Sequence, residues 1–319
     1  MTALGSKMTF IRGLHNLHSP EQRAVVTIGS FDGVHLGHQA ILQAVKVKAE
    51  SLSLPSVVMI FEPQPQEFFS AEKAPARLMR LREKVETLQI LGIDKVVCLQ
   101  FNPALRRLTA DQFVDQVLIK GLATRYLIVG DDFRFGCDRG GDFNMLQAAG
   151  QRHDFEVRDT GTLESLGQRV SSTLVRDVLR RSDFEQAEKL LGRPFTVKGR
   201  VVYGQQLGRK LGFPTANVQL NRYSAPIAGV FAVLTTIGEK TYQGAANVGI
   251  RPTVGGLVKP ILEVHLLDFQ GDLYGQRIEV EFKCKIRDEV KFTTIDSLVD
   301  NIRRDVNNIR AWFDRANKT

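Results

Sequence analysis

Two histidines three residues apart, His35 and His38, follow an apolar run at 25–28 and a glycine-punctuated turn, Gly29-Ser30-Phe31-Asp32-Gly33. They stand at the start of a helix-patterned segment over 39–49. Backbone N–H groups at a helix N-terminus have no partner within the helix and carry the positive end of its dipole, so such a turn suits a phosphate. Residues at i and i+3 share a helix face, which lets both imidazoles lean over one polyphosphate. The same spacing could bind zinc, but zinc needs at least a third protein ligand, and His15, His18, His153 and His265 show no partnered pattern. A third reading makes both histidines capping or core residues. A second concentration of chemistry lies near residue 210. Gly204, Gly208 and Gly212 stand four apart, with Arg209 and Lys210 between the last two. Such a loop could cover a polyphosphate with main-chain donors and cationic side chains. Glycines at barrel corners are the plainer alternative. Further on, Leu262-Glu263-Val264-His265-Leu266 alternates, so Glu263 and His265 share one strand face and the apolar residues the other.

Elements must hold these residues in place. From 24 to about 182, short β-branched runs alternate with helix-period segments. The runs at 25–28, 57–61, 95–101 and 126–129 are apolar on both faces, as buried parallel strands are. Between them Ile41, Leu42, Val45 and Ala49 form one helical stripe, and Leu81, Val85, Leu88 and Leu91 form another, closed by Gly92. Thr109 and Gln112 have capping-box spacing ahead of Phe113, Val114 and Val117. This alternation implies a right-handed, doubly wound parallel sheet, whose ligands bind beyond the carboxyl ends of the strands, where the histidine turn falls. One helical stretch is expected over about 174–191. After Gly192-Arg193-Pro194 the pattern changes to closely spaced strands at 195–202, 231–236, 243–248, 261–267 and 278–285, which suggests an antiparallel barrel with Glu263 facing its mouth. A last helix carries Ile295, Leu298, Val299, Ile302, Val306, Ile309, Trp312 and Phe313 at helical spacing and should pack one broad face on the barrel. The expected domains are 9–186 and 187–319.

At 319 residues and 43% hydrophobic content the chain can fill two cores. A formal charge of +8 favours anionic partners without choosing among nucleotides, nucleic acid and acidic membrane surfaces. No apolar run approaches the roughly 20 residues of a spanning helix, and the N-terminus lacks a signal-peptide core, so a cytoplasmic location is expected. Cys98, Cys137 and Cys284 are odd in number and far apart, which leaves neither a disulfide framework nor a four-thiolate zinc site. Cys98 should be buried in its strand, and residues 1–7, small and polar, read as an arm.

Gly29-Ser30-Phe31-Asp32-Gly33-Val34-His35-Leu36-Gly37-His38 resembles the H-x-G-H motif of nucleotidyltransferases in the form found in bacterial bifunctional riboflavin kinase/FAD synthetases. Further similar segments come in family order: Phe61-Glu62-Pro63, Arg77-Leu78 with Glu83-Lys84, Gly130-Asp131-Asp132-Phe133, Arg139 with Gly141-Asp142, and Ser171-Ser172-Thr173 with Arg176. In the second half, Pro214-Thr215-Ala216-Asn217 looks like the Pro-Thr-Ala-Asn motif of riboflavin kinases, and Asn247-Val248-Gly249, Leu273-Tyr274-Gly275 and Ile286-Arg287-Asp288 also match. The resemblance spans about 11–315. It implies an α/β doubly wound, H-x-G-H-type nucleotidyltransferase domain, followed by a mostly antiparallel β-barrel riboflavin kinase domain with a C-terminal helix.

The resemblance also implies roles. His35 and His38 would bind ATP phosphates at the adenylyl step, with Arg176 as a phosphate clamp above a helix opened by Ser171, Ser172 and Thr173. Gly29, Phe31, Asp32 and Gly37 would belong to the same ATP site; Asp32 is read two ways, ordering the turn or positioning magnesium through water. Asp132 and Phe133 would help hold the flavin or the adenylate. In the barrel, Thr215 and Asn217 would hold magnesium and ATP phosphates, with Gly204, Gly208, Arg209 and Gly212 as the covering loop. Glu263 would be the base that deprotonates the ribityl hydroxyl, and Arg287 a flavin-site residue. One departure matters: where the family commonly has histidine between two prolines, this chain has Pro63-Gln64-Pro65, and Gln64 cannot take charge.

The expected activity is bifunctional: riboflavin is phosphorylated by ATP to FMN, then FMN is adenylylated by ATP to FAD with release of pyrophosphate, both with magnesium. The expected partners are riboflavin, FMN and ATP, with no nucleic acid and no membrane, and with weak self-association left open. An RNA-binding module would explain the charge and the shared H-x-G-H, but the chain lacks a Lys-Met-Ser-Lys-Ser loop and aromatic-basic runs for stacking bases. A cytidylyltransferase acting on another small phosphate would leave residues 214–217 unexplained.

Overall fold

The computed structural model describes residues 8–17, 22–130, 132–160, 164–165, 168–252 and 258–316. His18, Asp131, Thr253 and residues 1–7 lie outside them. The chain divides into two compact units, Met1–Pro75 with Leu81–Ser171, and Ala76–Arg80 with Ser172–Thr319.

In the first unit, β1 (Thr9–Arg12), β2 (Ala24–Ile28), β3 (Ser56–Glu62), β4 (Lys95–Gln100), β5 (Thr124–Val129) and β6 (Glu156–Asp159) form one sheet in the order β1-β4-β3-β2-β5-β6. Every pair is parallel. The four central strands are the four apolar runs, and all of β2 is buried. The two edge strands escaped the pattern because they are short, largely exposed and without an apolar run. Helices α1 (Leu36–Leu52), α2 (Pro65–Phe69), α3 (Leu81–Ile90), α4 (Pro103–Arg106), α5 (Ala110–Phe113) and α6 (Phe143–His153) belong to this unit, as does a two-residue ladder, β7 (Glu164–Ser165) with β8 (Gln168–Arg169). Alternation along the strands sends Val26 and Leu127 into a core with Phe113 and Leu146, and Val25 and Ile128 into another with Val45 and Ala49 of α1. The sheet is therefore covered on both faces. Thr109 caps α5 as its spacing predicts: Gln112 N–H donates to Thr109 Oγ1 at 3.2 Å, and Thr109 N–H to Gln112 Oε1 at 2.9 Å. Cys98 is 1% exposed.

The second unit opens with α7 (Ser172–Arg180) and α8 (Phe184–Leu191). The single helix expected over 174–191 is broken at Ser182, whose φ of 59° no helix accommodates, and Asp183 restarts it by accepting from Gln186 N–H at 3.0 Å. Strands β9 (Thr196–Val202), β10 (Ala216–Val218), β11 (Gly229–Ile237), β12 (Lys240–Pro252), β13 (Val258–Leu266) and β14 (Arg277–Arg287) close a barrel in the order β10-β13-β12-β11-β14-β9, all pairs antiparallel. Between β9 and β10 lies the single turn α9 (Leu207–Lys210). The boundary expected at 186/187 falls inside α8, whose Phe184 packs against Phe195, Phe231 and Phe282 with centroids 5.7–6.5 Å apart. The last helix, α10 (Ile295–Ala316), lays Ile309 and Phe313 on Ala232 and Leu267, with Leu234, Ala245, Cys284 and Ile286 around them.

Residues 76–80 are fastened within this unit through main-chain carbonyls. Arg176 Nε donates to Ala76 O at 2.6 Å, Arg222 Nη1 to Arg77 O at 3.0 Å, and Arg80 to the carbonyls of Gln219 and Lys198.

Candidate active sites

In the first unit the winding reverses about β2, which has β3 on one side and β5 on the other. Loops leaving the carboxyl ends of such strands form a ligand crevice. The loop after β2 is the histidine turn; the loop after β5 carries Gly130, Asp132 and Phe133. In the turn, Phe31 and Val34 hold φ values of 46° and 40°, a left-handed region that bulky residues seldom enter. Both are buried, so packing enforces the shape. Lys84 of α3, itself 1% exposed, donates to Ser30 O, and Asp32 is buried at the same place.

His35 is the N-cap of α1 and its Nδ1 accepts from His38 N–H at 3.3 Å. The two rings stack with centroids 3.7 Å apart and planes 18° from parallel, while Phe31 meets His38 at 5.0 Å. Stacked imidazoles cannot converge their lone pairs on one ion, and among the described residues no cluster of three His, Cys, Asp or Glu side chains could hold a metal. Burial above all, then the charges of His35 and Lys84, keeps the His38 pKa well below the ordinary imidazole value. His38 is thus neutral at pH 7, and its enclosed Nδ1 has no partner among the described residues. Gly37 is tightly fitted: a Cβ there would lie 3.0 Å from Val170 O and 3.2 Å from His35 Nδ1. A Cβ on Gly29 would meet the Phe31 ring at 3.1 Å.

Phe133 N–H donates to Gly130 O at 3.0 Å, and its ring stacks on Phe135 at 5.8 Å, leaving Asp132 exposed at the tip. Gln64 caps α2; its N–H donates to Glu67 Oε2 at 3.0 Å, and its buried Nε2 has no partner among the described residues. Ser172 begins α7, with Ser171 just before it, Thr173 exposed in its first turn, and Arg176 half-buried one turn on.

In the second unit, β10 was missed because it is three residues long and follows a proline. It carries Asn217, and β13 pairs with it so that Asn217 stands opposite Glu263. The register continues: Glu263 opposite Asn247, Asn247 opposite Val230, Val230 opposite Arg287. Directly paired residues point to the same face. Asn217, Glu263, Asn247, Val230 and Arg287 therefore form one row across five strands, and all five line a cavity of about 280 Å³. Glu263 does not face a barrel mouth. Leu262, Val264, Phe231 and Phe282 fill the buried side, and Glu263 lies on the outer wall, with α10 and the loop around α9 closing over it.

Thr215 and Asn217 also line a second cavity of about 620 Å³, with Arg209, Phe269 and Tyr274. Gly204 and Gly208 fit against these two residues: a Cβ on Gly204 would fall 2.4 Å from Asn217 Nδ2, and one on Gly208 2.4 Å from Phe213 O and 3.3 Å from Thr215 Oγ1. Gly212 adopts φ +85° in open space. His265 ties the motif to β13 through Nδ1 and Pro214 O, 2.8 Å apart. Arg287 is gripped by Asp305 of α10, donating from Nε at 3.0 and 3.1 Å and from Nη2 at 2.8 Å. Sequence reasoning missed Asp305 although the signal was there: it sits between Ile302 and Ile309 on the apolar face of α10, where a carboxylate needs a cation.

The FAD synthetase family model matches residues 17–174, and the riboflavin kinase model matches 191–313. Bifunctional riboflavin kinase/FMN adenylyltransferases of Pseudomonas fluorescens, Escherichia coli K12 and Haemophilus influenzae are 52%, 49% and 47% identical, over 95%, 96% and 96% of this chain and 97%, 98% and 99% of theirs. A crystal structure from Streptococcus pneumoniae, titled a macrolide-efflux protein, superposes with a TM-score of 0.77 at 30% identity over 96% of this chain and all of that one. Among the described residues no helix is long and apolar enough to cross a membrane. With both family models matching in sequence and the relatives aligned from end to end, the chain belongs to the bifunctional riboflavin kinase/FMN adenylyltransferase family.

Proposed function

We propose that the chain makes FAD from riboflavin in two ATP-dependent steps, with a kinase site on the barrel and an adenylyltransferase site on the parallel sheet, assigned to domains 187–319 and 9–186. The observation that carries this reading is the cross-strand row, which sets Glu263 next to Asn217 in a cavity wall. Thr215 and Asn217 line both cavities, whereas Glu263 lines only the smaller. A phosphoryl group passing between two substrates must cross the shared wall, so the cavity with Glu263 takes riboflavin and the one with Arg209 takes ATP. Glu263 removes the proton from the terminal ribityl hydroxyl as its oxygen bonds to the γ-phosphorus and ADP leaves. Gly204, Gly208, Arg209 and Gly212 shape the loop over the phosphates. Arg287, fixed by Asp305, faces the flavin.

The hydroxyl of Thr215 and the carbonyl of Asn217 are neutral oxygen donors cradled by glycines, a donor set that fits magnesium shared with ATP phosphates. When bound, the ion neutralises phosphate charge. In the first domain, His35 and His38 hydrogen-bond the ATP phosphates with Gly29, Phe31, Asp32 and Gly37 shaping the turn, His38 acting as a neutral imidazole. Arg176 clamps the phosphates, Ser171, Ser172 and Thr173 support it at the start of α7, and Asp132 and Phe133 hold the flavin. The partners are small molecules, and the enzyme is read as cytoplasmic. The riboflavin kinase match accounts for the segment that a cytidylyltransferase would leave idle.

Chromatography of products from riboflavin, ATP and magnesium tests the scheme. Wild type should yield FAD, His38→Ala should accumulate FMN, and Glu263→Gln should convert supplied FMN but not riboflavin. FAD output unchanged by His38→Ala, or loss of both activities in folded Glu263→Gln, would refute it.

A further inference from the structure

The row on the barrel wall contains one polar group for which the described residues supply no partner. Asn247 Oδ1 is closed off from solvent and accepts no hydrogen bond from any of the described residues, while its residue lines the cavity beside Glu263. Its neighbours cannot serve it: the carboxylate of Glu263 opposite is acceptor-only when ionised, and Val230 on the other side is apolar. Enclosed amide groups are almost always paired, so an unpaired one in a cavity wall marks where a ligand hydrogen bond belongs.

The order of the row supplies the ligand's chemistry. From Asn217 to Arg287 the wall runs from the phosphate-side motif, through the base, through a lone amide, to apolar Val230, and Phe292, Leu298 and Ile302 line the same cavity. Riboflavin has the same order: a terminal hydroxyl that receives phosphate, a run of inner hydroxyls, then a flat ring. Neighbouring strands are roughly 4.8 Å apart, so a chain whose end faces Glu263 has its inner hydroxyls at Asn247. Resting on the kinase reading above, we propose that Asn247 is the specificity-determining residue for the polyol chain, hydrogen-bonding an inner ribityl hydroxyl and thereby holding the terminal one at Glu263. A hydroxyl both donates and accepts, so either end of the amide can serve it.

The test compares riboflavin with a flavin whose side chain keeps only the terminal hydroxyl on an otherwise unsubstituted alkyl chain, in wild type, Asn247→Leu and Asn247→Ala. Wild type should phosphorylate riboflavin with a kcat/KM roughly tenfold or more above the analogue, because a site built to bond a hydroxyl rejects the molecule lacking it. Both variants should lose roughly tenfold on riboflavin and less than about threefold on the analogue, so that the preference collapses. Conversion of supplied FMN to FAD by the same preparations should be unaltered, which reports a folded chain. Equal losses on both flavins, or an undiminished preference for riboflavin, would overturn the assignment. Wild type that phosphorylates neither flavin would overturn the kinase reading and this one with it.

Discussion

Replacing Gly204 by alanine adds one methyl group, and the structure gives its consequence. The new Cβ would stand 2.4 Å from Asn217 Nδ2, 2.6 Å from Cγ and 2.7 Å from Oδ1, where ordinary contact begins at 3.4 Å. Gly204 is not among the residues with positive φ, so alanine meets no backbone penalty and the change isolates the collision. Asn217 cannot retreat with its strand, because β10 is paired on one side to Val202 and on the other to Glu263. Its amide must therefore swing by about 1 Å, away from the position proposed for holding ATP phosphates. A displacement of that size costs on the order of a hundredfold in rate, about 2.7 kcal/mol of transition-state stabilisation. The assay is FMN formation from riboflavin under saturating ATP and magnesium, with FAD formation from supplied FMN as internal reference. Gly212→Ala is the contrast: nothing lies within 4 Å of its Cβ, so only the strain of φ +85° remains, about 1–2 kcal/mol of local stability. A Gly204→Ala enzyme within threefold of wild type on riboflavin would show that the side-chain position of Asn217 does not limit the kinase step.

Asp305→Asn should raise the KM for riboflavin and lower stability by about 1–3 kcal/mol while sparing FMN adenylylation; the figure is discounted from a fully buried pair because Arg287 keeps 24% of its side-chain exposure. Unfolding in urea and riboflavin titration measure both, and unchanged values would remove Asp305 from the positioning of Arg287. The neutral His38 predicts acid sensitivity. Its folded pKa lies below the unfolded value of about 6.5, so the unfolded chain binds more protons in that window. Stability from this residue is complete above about pH 6.5 and is lost as pH falls toward the folded pKa. Urea midpoints at pH 7.5 and 5.5 should differ more in wild type than in His38→Gln; equal differences would mean that His38 titrates normally.

Most of the scaffold was legible because the central strands of a covered parallel sheet must be apolar on both faces, and the barrel strands near α10 must alternate. Thr109 announced its helix, and Gly92 ended another. What escaped were elements whose stability comes from neighbours: β1 and β6 lean on one partner each, and β10 is held between two longer strands despite having only three residues. Ser182 breaks the helix with neither glycine nor proline to announce it, its turn closed by main-chain bonds from Ser182 N–H to Leu179 O and Asp183 N–H to Val178 O. At the candidate sites, residue types and spacing singled out His35, His38 and the strand face of Glu263, and the family resemblance singled out Thr215 and Asn217, but register could not be read. The Asn217-Glu263-Asn247 row exists only once strands distant in sequence are laid side by side.

The grouping of residues 76–80 with the second unit bears on how this gene could be divided. A fragment beginning at residue 172 would carry Arg176 and Arg222 but not Ala76 and Arg77, whose carbonyls receive them. Arg222 is 6% exposed, so the loss of the Arg77 carbonyl would fall on a buried guanidinium. Fission into two separate polypeptides, or fusion from two ancestral ones, therefore requires replacing that clasp as well as cutting or joining a linker. In synthesis from the N-terminus, residues 76 and 77 emerge about a hundred residues before Arg176, so this hydrogen bond forms only once α7 has been made.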